Sequence, residues 1–173
     1  MSAVTILPTP CYQPGSSRSF IISEVIVVSA SQGFSIPAGL KLAPTAPTAP
    51  GPAETRLAVF TSTPVSHTYF LTPSCQLFVT TPNLSGNPVS LAMEGPSTSF
   101  SQGNVLFSSV PLTNANKIYQ AVQLPGGVLS ITNIPGYKTL ACISGGNVYF
   151  NLAALTFSTP ASCAEVQLVY QNI

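Results

Sequence analysis

Aspartate and tryptophan are absent from this sequence, histidine occurs once, and charge of either sign is scarce. Of 173 residues, five are Lys or Arg and four are Glu, so 5% are charged where about 25% is usual. Without aspartate a Ser-His-Asp triad cannot be assembled, and a Ser-His-Glu set would need one of the scattered Glu24, Glu54, Glu94 and Glu165. A lone histidine, His67, excludes paired imidazoles and most metal-ligand sets. A Cys75–His67 dyad across one hairpin turn is outweighed by a simpler reading, a polar histidine on the solvent face of a strand beside Thr68. Net charge is +1, which leaves no electrostatic footprint for nucleic acid or anionic lipid. No apolar run approaches the ~18 residues of a transmembrane helix. The N-terminus lacks a basic region, and Pro8 and Pro10 interrupt any apolar one, so no cleaved secretory signal is expected. No glycine-rich loop opens a helix to cradle phosphate, because Ser144-Gly145-Gly146-Asn147 joins two strands. The expectation is a protein that is not an enzyme and has no cofactor, no metal and no nucleic-acid partner.

What is present is apolar and β-forming. Hydrophobic residues make up 45% of the chain, with 17 prolines and 12 glycines as punctuation. About eleven short segments read as strands, and every stretch with helical spacing is cut by proline or glycine. Ser19–Val28 is apolar on both faces and predicts a central strand covered on both sides. Phe34–Leu42 reads as a short strand with a break at Pro37-Ala38-Gly39. Thr55–Ser62 follows, with Leu57 and Val59 on one face, then Ser66–Leu71, Cys75–Thr81, Val89–Met93 and Asn104–Val110. The last third is the most regular: Lys117–Leu124, Gly127–Asn133, Tyr137–Ser144, Asn147–Leu155 and Cys163–Tyr170. Pro125-Gly126, Pro135-Gly136 and Gly145-Gly146 supply the turns between its first four strands. Short strands at this spacing predict an all-β fold, a single jelly-roll or β-sandwich barrel with Greek-key connections. Residues 1–18 read as an irregular N-terminal arm, and residues 19–173 as one barrel domain.

Between the early strands lies Ala43-Pro44-Thr45-Ala46-Pro47-Thr48-Ala49-Pro50-Gly51-Pro52-Ala53, with a Pro-Thr-Ala period of three. Proline fixes φ and removes a donor, so the tract suits an extended polyproline II segment of about 3.1 Å per residue. That length predicts a crossover between two sheets at 43–53 rather than a hairpin. The four cysteines, Cys11, Cys75, Cys142 and Cys163, have no metal-binding spacing. Buried free thiols are the first expectation; the even count also permits two disulfides, and Cys11 in the arm permits a bridge between chains. A surface with so few charges must be Ser, Thr, Asn, Gln and Pro. Covering such a surface costs far less than covering charges, so much of it is expected to meet neighbours. The alternative is a secreted or cell-surface adhesin or receptor-binding β-sandwich, in keeping with the Ser/Thr/Pro richness and the Asn83-Leu84-Ser85 sequon.

In length, composition, strand pattern and proline-rich crossover the whole chain resembles a viral capsid jelly roll. It resembles, more narrowly, the small major capsid protein of tailless icosahedral internal-membrane phages of Thermus, the sphaerolipovirus type. The resemblance implies a structural virion protein that folds in the host cytoplasm, self-associates as a dimer or larger capsomer, and co-assembles with a second, larger capsid protein. It also implies proximity to the viral membrane at one end. The interface residues expected on this basis are Cys11, Pro44, Pro47, Pro50 and Pro52. The chain departs from proteins of hot environments in having too few charges for ion-pair networks.

Overall fold

The computed structural model describes residues 11–16, 18–26, 34–48, 50, 54–62, 67–95, 102–109 and 118–173. The described chain is all β. Its strands are β1 (Phe20–Ile26), β2 (Lys41–Pro44), β3 (Thr55–Thr61), β4 (Thr68–Leu71), β5 (Leu77–Pro82), β6 (Pro88–Glu94), β7 (Gln102–Asn104), β8 (Leu106–Ser108), β9 (Ala121–Gln123), β10 (Val128–Ile131), β11 (Tyr137–Ser144), β12 (Asn147–Ala154) and β13 (Cys163–Asn172). All pairings are antiparallel, and the sheet closes on itself into a barrel through β1–β13 and β2–β3. The first strand pairs along its whole length with the last, Phe20 opposite Asn172 and Ile26 opposite Val166.

Alternation builds the core. On β12, Val148, Phe150 and Leu152 point inward; on β13, Ala164, Val166 and Leu168 do. Phe20, Tyr69, Phe107 and Phe150 are fully buried, with Phe60 edge-on to Phe150 at 5.5 Å. A second, smaller apolar cluster lies on the outer side of the β11–β12–β13 sheet, where Phe157 covers Leu140, Cys142, Ala153 and Cys163. The segment carrying Phe157 is fastened by Lys138, whose Nζ donates to the Phe157 carbonyl at 2.7 Å and to Thr159 Oγ1 at 3.0 Å. Gly145 and Gly146 both have positive φ, as the tight β11–β12 turn requires.

Several expectations are corrected. The proline tract is not a crossover: β2 pairs directly with β3, Lys41 opposite Thr61 and Pro44 opposite Ala58, so the tract is the long loop of a hairpin. Pro44 is tolerated inside β2 for a geometric reason. The Thr45 N–H donates to the Leu57 carbonyl at 2.9 Å, which makes Pro44–Ala58 a non-hydrogen-bonded pair and turns proline's missing N–H away from β3. On β3 the inward face is Arg56, Ala58 and Phe60, while Leu57 and Val59 face outward, the reverse of the apolar reading. β1 is not covered equally on its two faces: Phe20 and Ile22 are fully buried, whereas on the other face Ile21 and Ser23 are half-buried and Val25 is 43% exposed. The strand foreseen over 34–42 reduces to β2. The one foreseen over 104–110 divides, because fully buried Val105 wedges between β3 and β12, accepting from the Ala58 N–H and donating to the Phe150 carbonyl.

The cysteines are not free. Cys11 joins Cys75 and Cys142 joins Cys163, both within the chain. Cys11 is therefore not available for a bridge between chains. Residues 11–16 form no strand, in keeping with an irregular arm, but they are fastened to the barrel. The Tyr12 hydroxyl donates to the Leu71 carbonyl and accepts from the Leu71 N–H, and Gln123 Oε1 accepts from the Gln13 N–H and the Ser16 hydroxyl.

Candidate functional site

Residues 45–48 and 50 of the tract and the β5–β6 turn lie at one end of the barrel. Asn83 organises that turn: its Oδ1 accepts from the Ser85 and Asn87 N–H groups, and its Nδ2 donates to the Pro50 carbonyl at 2.9 Å. The Ser85 hydroxyl also reaches that carbonyl. Beneath the tract sits a buried ion pair. Arg56 Nη2 donates to Glu54 Oε2 at 2.6 Å and to the Pro82 carbonyl at 2.9 Å, while Glu54 Oε1 accepts from the Thr48 N–H at 2.7 Å. The two side chains are 2% and 0% exposed. One pair thus links three segments: β3, the tract and the end of β5. A buried pair is sustained by extra hydrogen bonds to its ions, and here the Thr48 N–H serves Glu54 and the Pro82 carbonyl serves Arg56 Nη2, while the buried Arg56 Nε has no partner.

Of the expected interface residues, Pro44 and Pro47 are half-buried and Pro50 is exposed at this end; Pro52 lies outside the described residues. Cys11 is apart from them. It is fully buried and bonded to Cys75, in the turn at the opposite end of β5 from Asn83. Next to Pro50 the surface presents Leu84, 58% exposed, which the sequence reading did not single out. The Glu54–Arg56 pair was also missed. The available signal was opposite charges two residues apart on one strand face, in phase with inward Ala58 and Phe60.

The catalytic candidates do not come together. His67 is buried, not on the solvent face, and its Nε2–H donates to the Leu42 carbonyl at 2.8 Å. Burial lowers its pKa, and the bond to Leu42 opposes that shift. Cys75, beyond the far end of β4, is in a disulfide and cannot serve as a nucleophile. Tyr69 and Tyr119 are buried, which pushes both phenols upward, and the Glu94 charge adds to the effect on Tyr119. Among the described residues no three His, Cys, Asp or Glu side chains gather into a metal-binding group.

No protein-family model matches the chain, and neither a curated protein nor a solved structure does.

Proposed function

We propose that this protein is a structural shell protein, a single-barrel major capsid subunit. It self-associates, with the dimer as first unit, and co-assembles with a second, larger capsid protein into an icosahedral shell around a membrane. The observation that carries this reading is where the few charges go. Glu54, Arg56 and Glu94 are 4%, 3% and 7% exposed, so a chain with nine charged residues keeps still fewer outside. The exterior is left poor in charge, with Val25, Leu84, Leu155 and Ile173 exposed on it. Such a surface is inexpensive to desolvate against a neighbour. Sedimentation velocity of the purified protein over a concentration and salt series tests the proposal. The expected result is reversible self-association that high salt does not dissolve, because few charges take part. A strictly monomeric species at every concentration overturns it.

The two intrachain disulfides support a second reading, a surface-displayed adhesin or receptor-binding domain. Such bridges belong to oxidising compartments, intracellular proteins of hyperthermophiles being the known exception. Thiol titration separates the two. Bridges that form only after export favour display; bridges that form in the cytoplasm favour a shell protein folded there.

A further inference from the structure

A pocket of about 480 Å³ opens on the outer face of β12, within the ~300–1,000 Å³ range of small-ligand sites. Its polar lining includes the carboxamides of Gln102, Asn104 and Asn151, the Tyr149 hydroxyl and the Ser162 hydroxyl, and no charged side chain. Asn151 is 6% exposed, so one amide is set deep within it. Gln102 Nε2 donates to Asn151 Oδ1 at 3.4 Å and lies 3.5 and 3.7 Å from the sulfurs of Cys142 and Cys163. The Tyr149 hydroxyl accepts from Asn147 Nδ2 at 3.4 Å, which orients the ring.

The floor is rigid. The Ile143 N–H donates to the Ser162 carbonyl, so Cys142 and Cys163 face each other as a non-hydrogen-bonded pair, the narrow kind, and the disulfide joins them there. The walls are already paired: β12 holds β7 on one edge, Asn151 opposite Asn104 and Ala153 opposite Gln102, and β11 on the other. An extended peptide therefore finds no open edge on β12 itself, and recognition over that strand falls to side chains. Each carboxamide offers a donor and an acceptor together, which matches hydroxyl groups that do both. The Tyr149 ring and Leu57 supply apolar surface for C–H groups, and the absence of charge disfavours phosphates and carboxylates.

We propose that this pocket binds a neutral saccharide unit. The site belongs to the folded subunit and does not depend on shell assembly. Side-chain amide resonances of the ¹⁵N-labelled, disulfide-intact protein are followed while glucose, galactose, mannose or N-acetylglucosamine is added to about 10 mM, tenfold above a 1 mM dissociation constant. At least one sugar is expected to shift Gln102, Asn104 and Asn151 together and saturably. The exposed Asn104→Ala and the ring-retaining Tyr149→Phe are each expected to weaken that binding about tenfold while the rest of the spectrum keeps its wild-type dispersion. No saturable shift with any of the four sugars overturns the proposal. So do shifts centred elsewhere, or equal binding by both variants.

Discussion

The His67 imidazole and the Leu42 carbonyl, 2.8 Å apart, close a gap in the barrel wall. Leu42 lies opposite Phe60 in a non-hydrogen-bonded pair, so its carbonyl points away from β3. On its other side β2 meets β1 only at Ser23–Lys41. The carbonyl is left without a strand partner in the core, and an unpaired buried carbonyl costs about 1–3 kcal/mol. His67 and Tyr69 both supply hydrogen bonds to it, each at 2.8 Å, and their rings meet edge to face at 5.5 Å. The single histidine is thus a structural donor that completes the ladder.

This arrangement makes stability depend on pH. His67 is held neutral by burial, its pKa below the ordinary value, so the unfolded chain binds a proton more readily than the folded one. Its contribution is complete above about pH 6.5 and is lost as pH falls through the lower folded value. Glu24 acts with the opposite sign in a lower window. Burial raises its carboxyl, so its contribution is lost as pH rises through the folded value. Thermal unfolding followed from neutral pH down to about pH 5 should show a falling midpoint, and His67→Gln, which retains a donor, should flatten that slope. An unchanged slope in the variant refutes the assignment.

The Glu54–Arg56 pair predicts strong non-additivity. Arg56→Leu leaves a buried carboxylate without its counter-ion, and Glu54→Gln leaves a buried guanidinium without its own, beside the Pro82 carbonyl and Thr81. Each single change should destabilise by about 3–5 kcal/mol, and the double change by clearly less than their sum. Denaturant titration of the three variants measures this; additive losses would mean that the ions do not rely on each other.

The strand pattern of the last third was legible because it is local. β11 has the bounds read from the sequence, and β12 and β13 present the inward faces that their alternation indicates. What was not legible is non-local. No residue near Phe20 announces its pairing with Asn172, and four cysteines allow three connectivities. On β3 the local signal misled: Leu57 and Val59 look like the core face, but Ala58 and Phe60 pack into the core, and Arg56 lies in phase with them, paired with Glu54. The tract was misread because its length alone was weighed. Which way the proline nitrogen points decides whether it can flank a hairpin.

The disulfides should contribute unequally. Cys11–Cys75 closes 64 residues and Cys142–Cys163 closes 21, so chain-entropy arguments give about 4 and about 3 kcal/mol. Cys11→Ser with Cys75→Ser should therefore lower stability more than the Cys142→Ser, Cys163→Ser pair. It should also raise amide exchange at Tyr12 to Ser16, whose hydrogen bonds to Leu71 and Gln123 lose their anchor. Protection unchanged over that segment would show that the hydrogen bonds suffice alone.

The end of the barrel that carries Pro50 and Leu84 is the surface most open to a direct assembly test. The tract is held by main-chain groups, the Thr48 N–H and the Pro50 carbonyl, which any non-proline residue at those positions supplies. Replacing residues 45–50 with Gly and Ser of equal length should therefore leave the fold intact while removing the stiffness of the prolines. Leu84→Lys should be nearly neutral in the monomer, within about 0.5 kcal/mol, because Leu84 is 58% exposed. In an interface the same lysine would be a buried, unpaired charge costing several kcal/mol. Both variants are expected to keep their thermal midpoint near that of the parent after the entropy of the added glycines is allowed for, and to weaken self-association at least tenfold by sedimentation equilibrium. If both associate as the parent does, this end of the barrel faces solvent and the contact between subunits lies elsewhere.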